Sequence, residues 1–263
     1  MARMAKIAAV SAGMVLVLTG CSSGDDQPSA NNSLGTITAG SLTVCSDPPF
    51  APFEFEDASS PSGYSGFDID VSDAIATKLG LKLVVVDTDF DALQSGASLD
   101  AGVCDMGASG ITITEDRKSS IDFSAPYYDS LQSLLVAKAS GITSLDDLAG
   151  KNIGVQTGST GEHYANENKP DSATVVSFPS DGEMWVAIQA GQVDALLEDF
   201  PINHNHAKAD PLYTVVGKYQ TNEQYGLTFA KGKNPTLVAA VDAQLETMRS
   251  DGTYDKIYDK YFS

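Results

Sequence analysis

Apolar residues recur along the chain in two rhythms, short runs and stripes spaced by three or four, with turn-forming residues between them. Leu42 to Cys45 is a short β-type run, followed by the Pro-rich loop Asp47-Pro48-Pro49-Phe50-Ala51-Pro52-Phe53. Val71, Ile75 and Leu79 then repeat every fourth residue with Ala74 beside them, one face of a helix that Gly80 stops. Leu81 to Val86, apolar apart from Lys82 and bounded by Asp87, predicts a buried strand. The second half repeats this order. Ser144 with Asp147 caps a short helix before Gly150, and Asn152 to Val155 reads as a strand entering the turn Gly158-Ser159-Thr160-Gly161. Ser180-Asp181-Gly182-Glu183 is a capping box opening a helix that ends at Gly191, and Val193 to Leu197 is a further strand. Asn234-Pro235 caps a helix whose stripe is Leu237, Val238, Val241, Leu245 and Met248. Tyr254, Ile257, Tyr258, Tyr261 and Phe262 form a last amphipathic stretch, most simply core. Strands alternating with helices imply an α/β fold with parallel sheets and helical crossovers.

The start of the chain breaks the pattern. Arg3 and Lys6 precede an apolar run from Ile7 to Leu18 that is too short to span a bilayer and ends in small residues. Residues 1–20 therefore read as a secretory signal, and Leu18-Thr19-Gly20-Cys21 resembles a bacterial lipobox, in which the cysteine becomes the lipidated first residue. That resemblance implies a protein held by its lipid on the extracytoplasmic face of a cell membrane without spanning it. Residues 21–35, rich in Ser, Gly, Asp, Asn and Pro, have too little apolar content to order themselves and read as a flexible tether.

Charge and cysteines narrow the classes. Without Arg3 and Lys6 the chain holds 14 basic and 35 acidic residues, a balance that repels phosphate backbones and argues against a nucleic-acid partner. With Cys21 taken by the lipobox, Cys45 and Cys104 remain as an even pair in an oxidising compartment, a disulfide in the favoured reading and two buried thiols in the other. Motifs for catalysis, nucleotides and metals are missing: there is no GxSxG, no HExxH and no P-loop lysine, and His204 and His206, two apart, point to different faces of a helix. No cofactor, metal or enzymatic activity is expected.

The chain does offer polar groups at the ends of predicted strands, where open α/β sheets bind ligands. Asp47 follows the first strand, Gly110-Ile111-Thr112-Ile113-Thr114 leads to Arg117, Gly158-Ser159-Thr160 opens a helix, and Glu198-Asp199 follows another strand. Each also has a plain alternative: Asp47 as a turn cap, Arg117 as one member of the solvated run Glu115-Asp116-Arg117-Lys118, Asp199 as a helix cap near Pro201. Arginine's fork with an aspartate is the pair that a zwitterion requires.

Several stretches resemble, in order, the family 3 solute-binding proteins, the polar amino-acid receptors of ABC importers. They are Cys45-Ser46-Asp47-Pro48-Pro49-Phe50-Ala51-Pro52-Phe53-Glu54-Phe55, Gly66-Phe67-Asp68-Ile69-Asp70, Gly110 to Arg117, Ile121 to Tyr128, Val193 to Asp199 and Gly252 to Tyr258. The resemblance implies a two-lobed periplasmic-binding-protein-like fold of type II, with residues 36–131 and 226–263 in lobe 1, 132–225 in lobe 2 and two hinge strands between. It implies a monomer that closes on a free amino acid and meets an ABC permease. Carried over residue by residue, the carboxylate clamp falls on Arg117, aided by backbone near Thr112 and by the helix start at Ser159 and Thr160. The ammonium acceptor falls on Asp199 and the aromatic walls on Phe50 and Phe90. Asp47 and Ser109 match positions that basic-amino-acid receptors use. Gln156 and Glu198 stand where glutamine receptors carry a lysine and a histidine. An acidic pocket of that kind favours arginine, lysine or ornithine, with glutamine next. Dehydratase-like enzymes share the fold, and Glu198 is the candidate general acid in that alternative; a sensing subunit is a third.

Overall fold

The structure is a computed structural model and describes residues 32–263; the predicted signal 1–20, Cys21 and the tether as far as residue 31 lie outside the described residues. In chain order its elements are β1 (Ser41–Ser46), β2 (Phe55–Glu56), β3 (Tyr64–Ser65), α1 (Phe67–Lys78), β4 (Lys82–Asp87), α2 (Phe90–Gln94), α3 (Ala97–Asp100), β5 (Met106–Gly107), α4 (Glu115–Ser120), β6 (Ile121–Phe123) and β7 (Tyr128–Ala137). They continue with β8 (Asn152–Gln156), α5 (Thr160–Asn168), β9 (Thr174–Phe178), α6 (Asp181–Gln189), β10 (Ala195–Asp199), α7 (Phe200–Ala209), β11 (Tyr213–Tyr225), β12 (Thr228–Ala230), α8 (Pro235–Ser250) and α9 (Thr253–Phe262).

Two five-stranded sheets organise two lobes, one ordered β4-β1-β5-β12-β6 and the other β11-β7-β10-β8-β9. Both are mixed: β1 runs parallel to β4 and β5, and β8 parallel to β9 and β10, while β12 and β7 run antiparallel to their neighbours. The chain enters the second sheet through β7 and returns from the end of β11 into β12, with Tyr128 opposite Tyr225 at the crossing. Each sheet has its own apolar core. Phe53, Phe67, Tyr127 and Tyr225 pack with Val241 and Leu245 of α8 on one side, and Leu134, Val155, Leu197 and Met184 lie in the cores of the other.

Local chemistry explains most boundaries. Asn234 Oδ1 accepts the Leu237 amide at 3.1 Å to start α8, and Ser144 with Asp147 forms a full capping box around the 3-10 turn Leu145–Leu148. At α6 only half of the predicted box forms, the Glu183 amide donating to Ser180 Oγ at 3.3 Å. Two expectations are corrected. The run at Leu81–Val86 forms not a buried strand but the edge strand β4, with Lys82 exposed and Val84 38% exposed, because no strand covers its outer side. The strand expected at Val193–Leu197 begins two residues later, since the Asp194 carboxylate turns back to accept the Asn152 amide at 2.8 Å. Cys45 of β1 and Cys104, in the loop before β5, form a disulfide with Cα atoms 5.7 Å apart. Among the described residues no helix is long and apolar enough to cross a membrane.

Candidate functional site

The strand ends that carry the predicted polar groups converge on one cavity of about 340 Å3 between the two sheets. Larger hollows exist, such as one of about 1190 Å3 along Asp57, Ser65, Asp73 and Lys260, but that one is confined to the first lobe and holds no deeply buried charge. The interlobe cavity is lined by Phe50, Phe90, Gly110, Thr112 and Arg117 from one side and by Gln132, Gln156, Ser159, Thr160, Gly161, Glu198 and Asp199 from the other.

Arg117 follows from the short helix α4. Thr114 caps that helix by accepting the Arg117 amide at 3.1 Å, and this turns the side chain inward from a run whose other charges stay on the surface. The guanidinium donates to the Thr112 carbonyl at 2.8 Å, to Gln94 Oε1 at 3.3 Å and, across the lobes, to the Gly158 carbonyl at 2.9 Å. Its carbon lies 5.4 Å from the centre of the Phe90 ring. None of the ion pairs among the described residues includes it, although it is only 6% exposed. Burial pulls its pKa down to about 10, opposed by the nearby Asp199 and Glu223 carboxylates. A buried cation bonded only to neutral oxygens is an anion receptor held ready.

Asp199 closes β10 and stands at the N-cap position of α7, yet its carboxylate makes no capping bond. It accepts instead from Gln132 Nε2 at 2.6 Å, an amide that also lies 3.0 Å from Glu223 Oε2 and 3.3 Å from Thr160 Oγ1. Burial, then the charge of Glu223, holds the Asp199 pKa well above the usual carboxylate range. Two close carboxylates that share one neutral donor favour a cation between them.

The other end of the cavity is acidic as well. Glu198 is 6% exposed and its Oε1 has no hydrogen-bond partner; burial and then Asp181 and Asp199 raise its pKa. Asp47 does not line the cavity. It stands behind Gln156, whose amide donates to Asp47 Oδ2 at 2.7 Å across the lobes, and burial raises the Asp47 pKa to about 7. Ser109 is also withdrawn: its hydroxyl accepts the Asp47 amide at 3.1 Å and donates to Glu54. Ser159 caps α5 by accepting the Glu162 amide at 3.0 Å, so that its hydroxyl is engaged there. Gly110 has φ +53° and its amide donates to Asp68 at 2.8 Å; a Cβ there would lie 2.8 Å from the Phe50 ring.

The family model of bacterial extracellular solute-binding proteins, family 3, matches residues 42–263. The chain belongs to this family. An ABC transporter glutamine-binding protein of Bacillus subtilis is 38% identical over 74% of this family 3 chain and 72% of its own length. The lysine/arginine/ornithine-binding periplasmic protein of Escherichia coli is 33% identical over 84% of the chain and 87% of its own. Among solved structures, an ancestral arginine-binding protein bound to arginine superposes with a TM-score of 0.78 at 38% identity, covering 85% of this chain and 99% of that one.

Sequence reading missed Gln132, Gly161 and Glu223 in this family 3 protein. Gln132 and Glu223 lie in β7 and β11, strands that the apolar pattern did not mark, and both are buried. The signal available was a polar residue inside an otherwise apolar run, as at Gln132 before Ser133-Leu134-Leu135-Val136.

Proposed function

We propose that this protein captures a free amino acid between its lobes and delivers it to the permease of an ABC importer, without converting it. The observation that carries the reading is the placement, inside one buried cavity, of the Arg117 guanidinium on one side and the Asp199 carboxylate on the other. Those groups match the carboxylate and ammonium of an amino acid, and Phe50 and Phe90 flank its stem. The acidic far end, with Glu198 on the wall and Asp47 behind Gln156, favours a side-chain cation, so arginine, lysine and ornithine precede glutamine. The names of the relatives, arginine and glutamine receptors alike, support that range. Lobe 1 is assigned to residues 36–131 and 226–263 and lobe 2 to 132–225, with the monomer held to the membrane through lipid on Cys21 and the tether 21–35.

Calorimetry of the twenty amino acids and ornithine tests this. One or more basic amino acids bind, and Arg117→Ala weakens them by about 2 to 5 kcal/mol, roughly 30-fold to several thousandfold. Near-native affinity in that variant removes the site. Turnover of an amino acid or cyclic acid that disappears in Glu198→Gln replaces the receptor with the dehydratase-like alternative.

A further inference from the structure

Asp181, Glu198 and His206 meet behind the acidic end of the cavity, on the first residue of α6, on β10 and on α7. One ligating atom from each, two carboxylate oxygens and an imidazole nitrogen, lie within 4.8 Å of one another. His206 Nε2 is 2.8 Å from Asp181 Oδ1, and the side chains of His206 and Asp181 are only 13% and 4% exposed. The imidazole lies flat against Trp185, with centroids 4.1 Å apart and planes 9° from parallel, which fixes the ring. The third member, Glu198, is 6% exposed and its Oε1 has no partner. Two buried carboxylates side by side require a shared proton or a cation, and the histidine on the same centre supplies the nitrogen that transition metals favour.

We propose that Asp181, Glu198 and His206 form a binding site for a divalent transition-metal ion of the zinc class, separate from the Arg117–Asp199 pair. One nitrogen and two oxygens are a three-ligand set with a fourth position left open. Zinc at its usual bond lengths would bring the ligating atoms to about 3.3 Å from one another, so the widest gap has to close by at most about 1.5 Å. All three residues sit on regular elements, and Glu198 also forms part of the cavity wall, so the ion would lie against that wall.

Trp185 is the chain's single tryptophan and so reports on the site directly. Full-length protein, stripped with EDTA and returned to metal-free buffer at neutral pH, is titrated with zinc chloride while calorimetry and Trp185 fluorescence are followed. The expected result is saturation at one equivalent, a fluorescence change that saturates in step, and a higher melting temperature with zinc. His206→Gln and Glu198→Gln, checked for folding by their melting curves in EDTA, each weaken the site by about 100-fold or more. Absence of saturable binding to the parent protein overturns the proposal and leaves a shared proton between the carboxylates. Saturable binding that both variants retain overturns it equally, placing the zinc elsewhere. The parent titration decides even if a variant fails to fold, and amino-acid binding in EDTA is read separately.

Discussion

Arg117 and Glu115 stand two residues apart in one charged run, yet the Glu115 side chain is 89% exposed beside Lys118 while Arg117 is 6% exposed. Nothing in the run itself separates them; the cap at Thr114 and the inward side of a one-turn helix do. Asp199 was ambiguous for the same reason, since an N-cap position and a ligand position are identical in sequence. Asp47 carries a consequence that can be measured. Burial lifts its pKa from 3.8 to about 7, with Asp87, Asp89 and Asp181 pushing the same way and the Gln156 amide opposing. The folded protein thus holds a proton that the unfolded chain has released, so this group's contribution to stability falls as pH rises from about 4 to about 7 and is flat above. A side-chain cation arriving nearby pulls that pKa back down. Both ligands carry an ammonium that draws on Asp199 alike, so arginine binding releases more proton near pH 6 than glutamine binding does and tightens more steeply with rising pH, the excess being at most about tenfold per pH unit. Calorimetry in buffers of different ionisation enthalpy reads the released proton. Equal pH slopes for both ligands, or an excess of the arginine slope over the glutamine slope that is unchanged in Asp47→Asn, would sink the assignment.

Elements bounded by caps and glycines were readable because the bonds that end them are local. The helix stripe of α8, the Ser144–Asp147 box and the start of α5 all follow from residues within four positions of one another. Strand burial was not readable, because it depends on which strand lies alongside: β4 has the apolar content of a central strand and occupies an edge. The long pair β7 and β11 escaped for a related reason, since its apolar pattern is broken by the buried Gln132, Ser133 and Glu223, of which Gln132 lines the cavity. The disulfide joins residues 59 apart, from β1 to the loop before β5. Closing a loop of that length constrains the unfolded chain by about 4 kcal/mol in the chain-entropy treatment. Replacing both Cys45 and Cys104 by Ser should lower the melting temperature by about 8 to 16 °C, given about 2 to 4 °C per kcal/mol at this size. Both cysteines lie in the first lobe and neither lines the cavity, so the ranking of amino-acid ligands should not change. A melting temperature that does not move, or a reordered ranking, contradicts this account.

The site exists only where the two lobes meet, and the hydrogen bonds that span the gap include those from Gln156 to Asp47 and from Arg117 to the Gly158 carbonyl. Capture by such a site is coupled to how often the lobes come together, because apparent affinity scales with the population of the competent state. Gly158, whose carbonyl accepts from Arg117, offers a way to change that population. Its φ is +74°, and a Cβ there would lie 2.8 Å from Asp91 Oδ1 and 2.9 Å from Gln94 Nε2 on the opposite lobe. Those side chains can move aside only by giving up bonds they make, since Gln94 donates to Asp91 at 2.9 Å and accepts from Arg117 at 3.3 Å. Gly158→Ala therefore drives a wedge between the lobes at the cost of about one hydrogen bond, on the order of 1 kcal/mol or roughly fivefold in affinity. Backbone strain at positive φ lowers stability as well, and Gly191 separates the two effects: its φ is +70° and nothing lies within 4 Å of the added carbon. Gly191→Ala should lower the melting temperature and leave ligand affinity unchanged, whereas Gly158→Ala should lower both and enlarge the radius of gyration of the ligand-free protein in small-angle scattering. If the two variants weaken binding alike, the loss is strain alone, and the contact between the lobes does not govern capture.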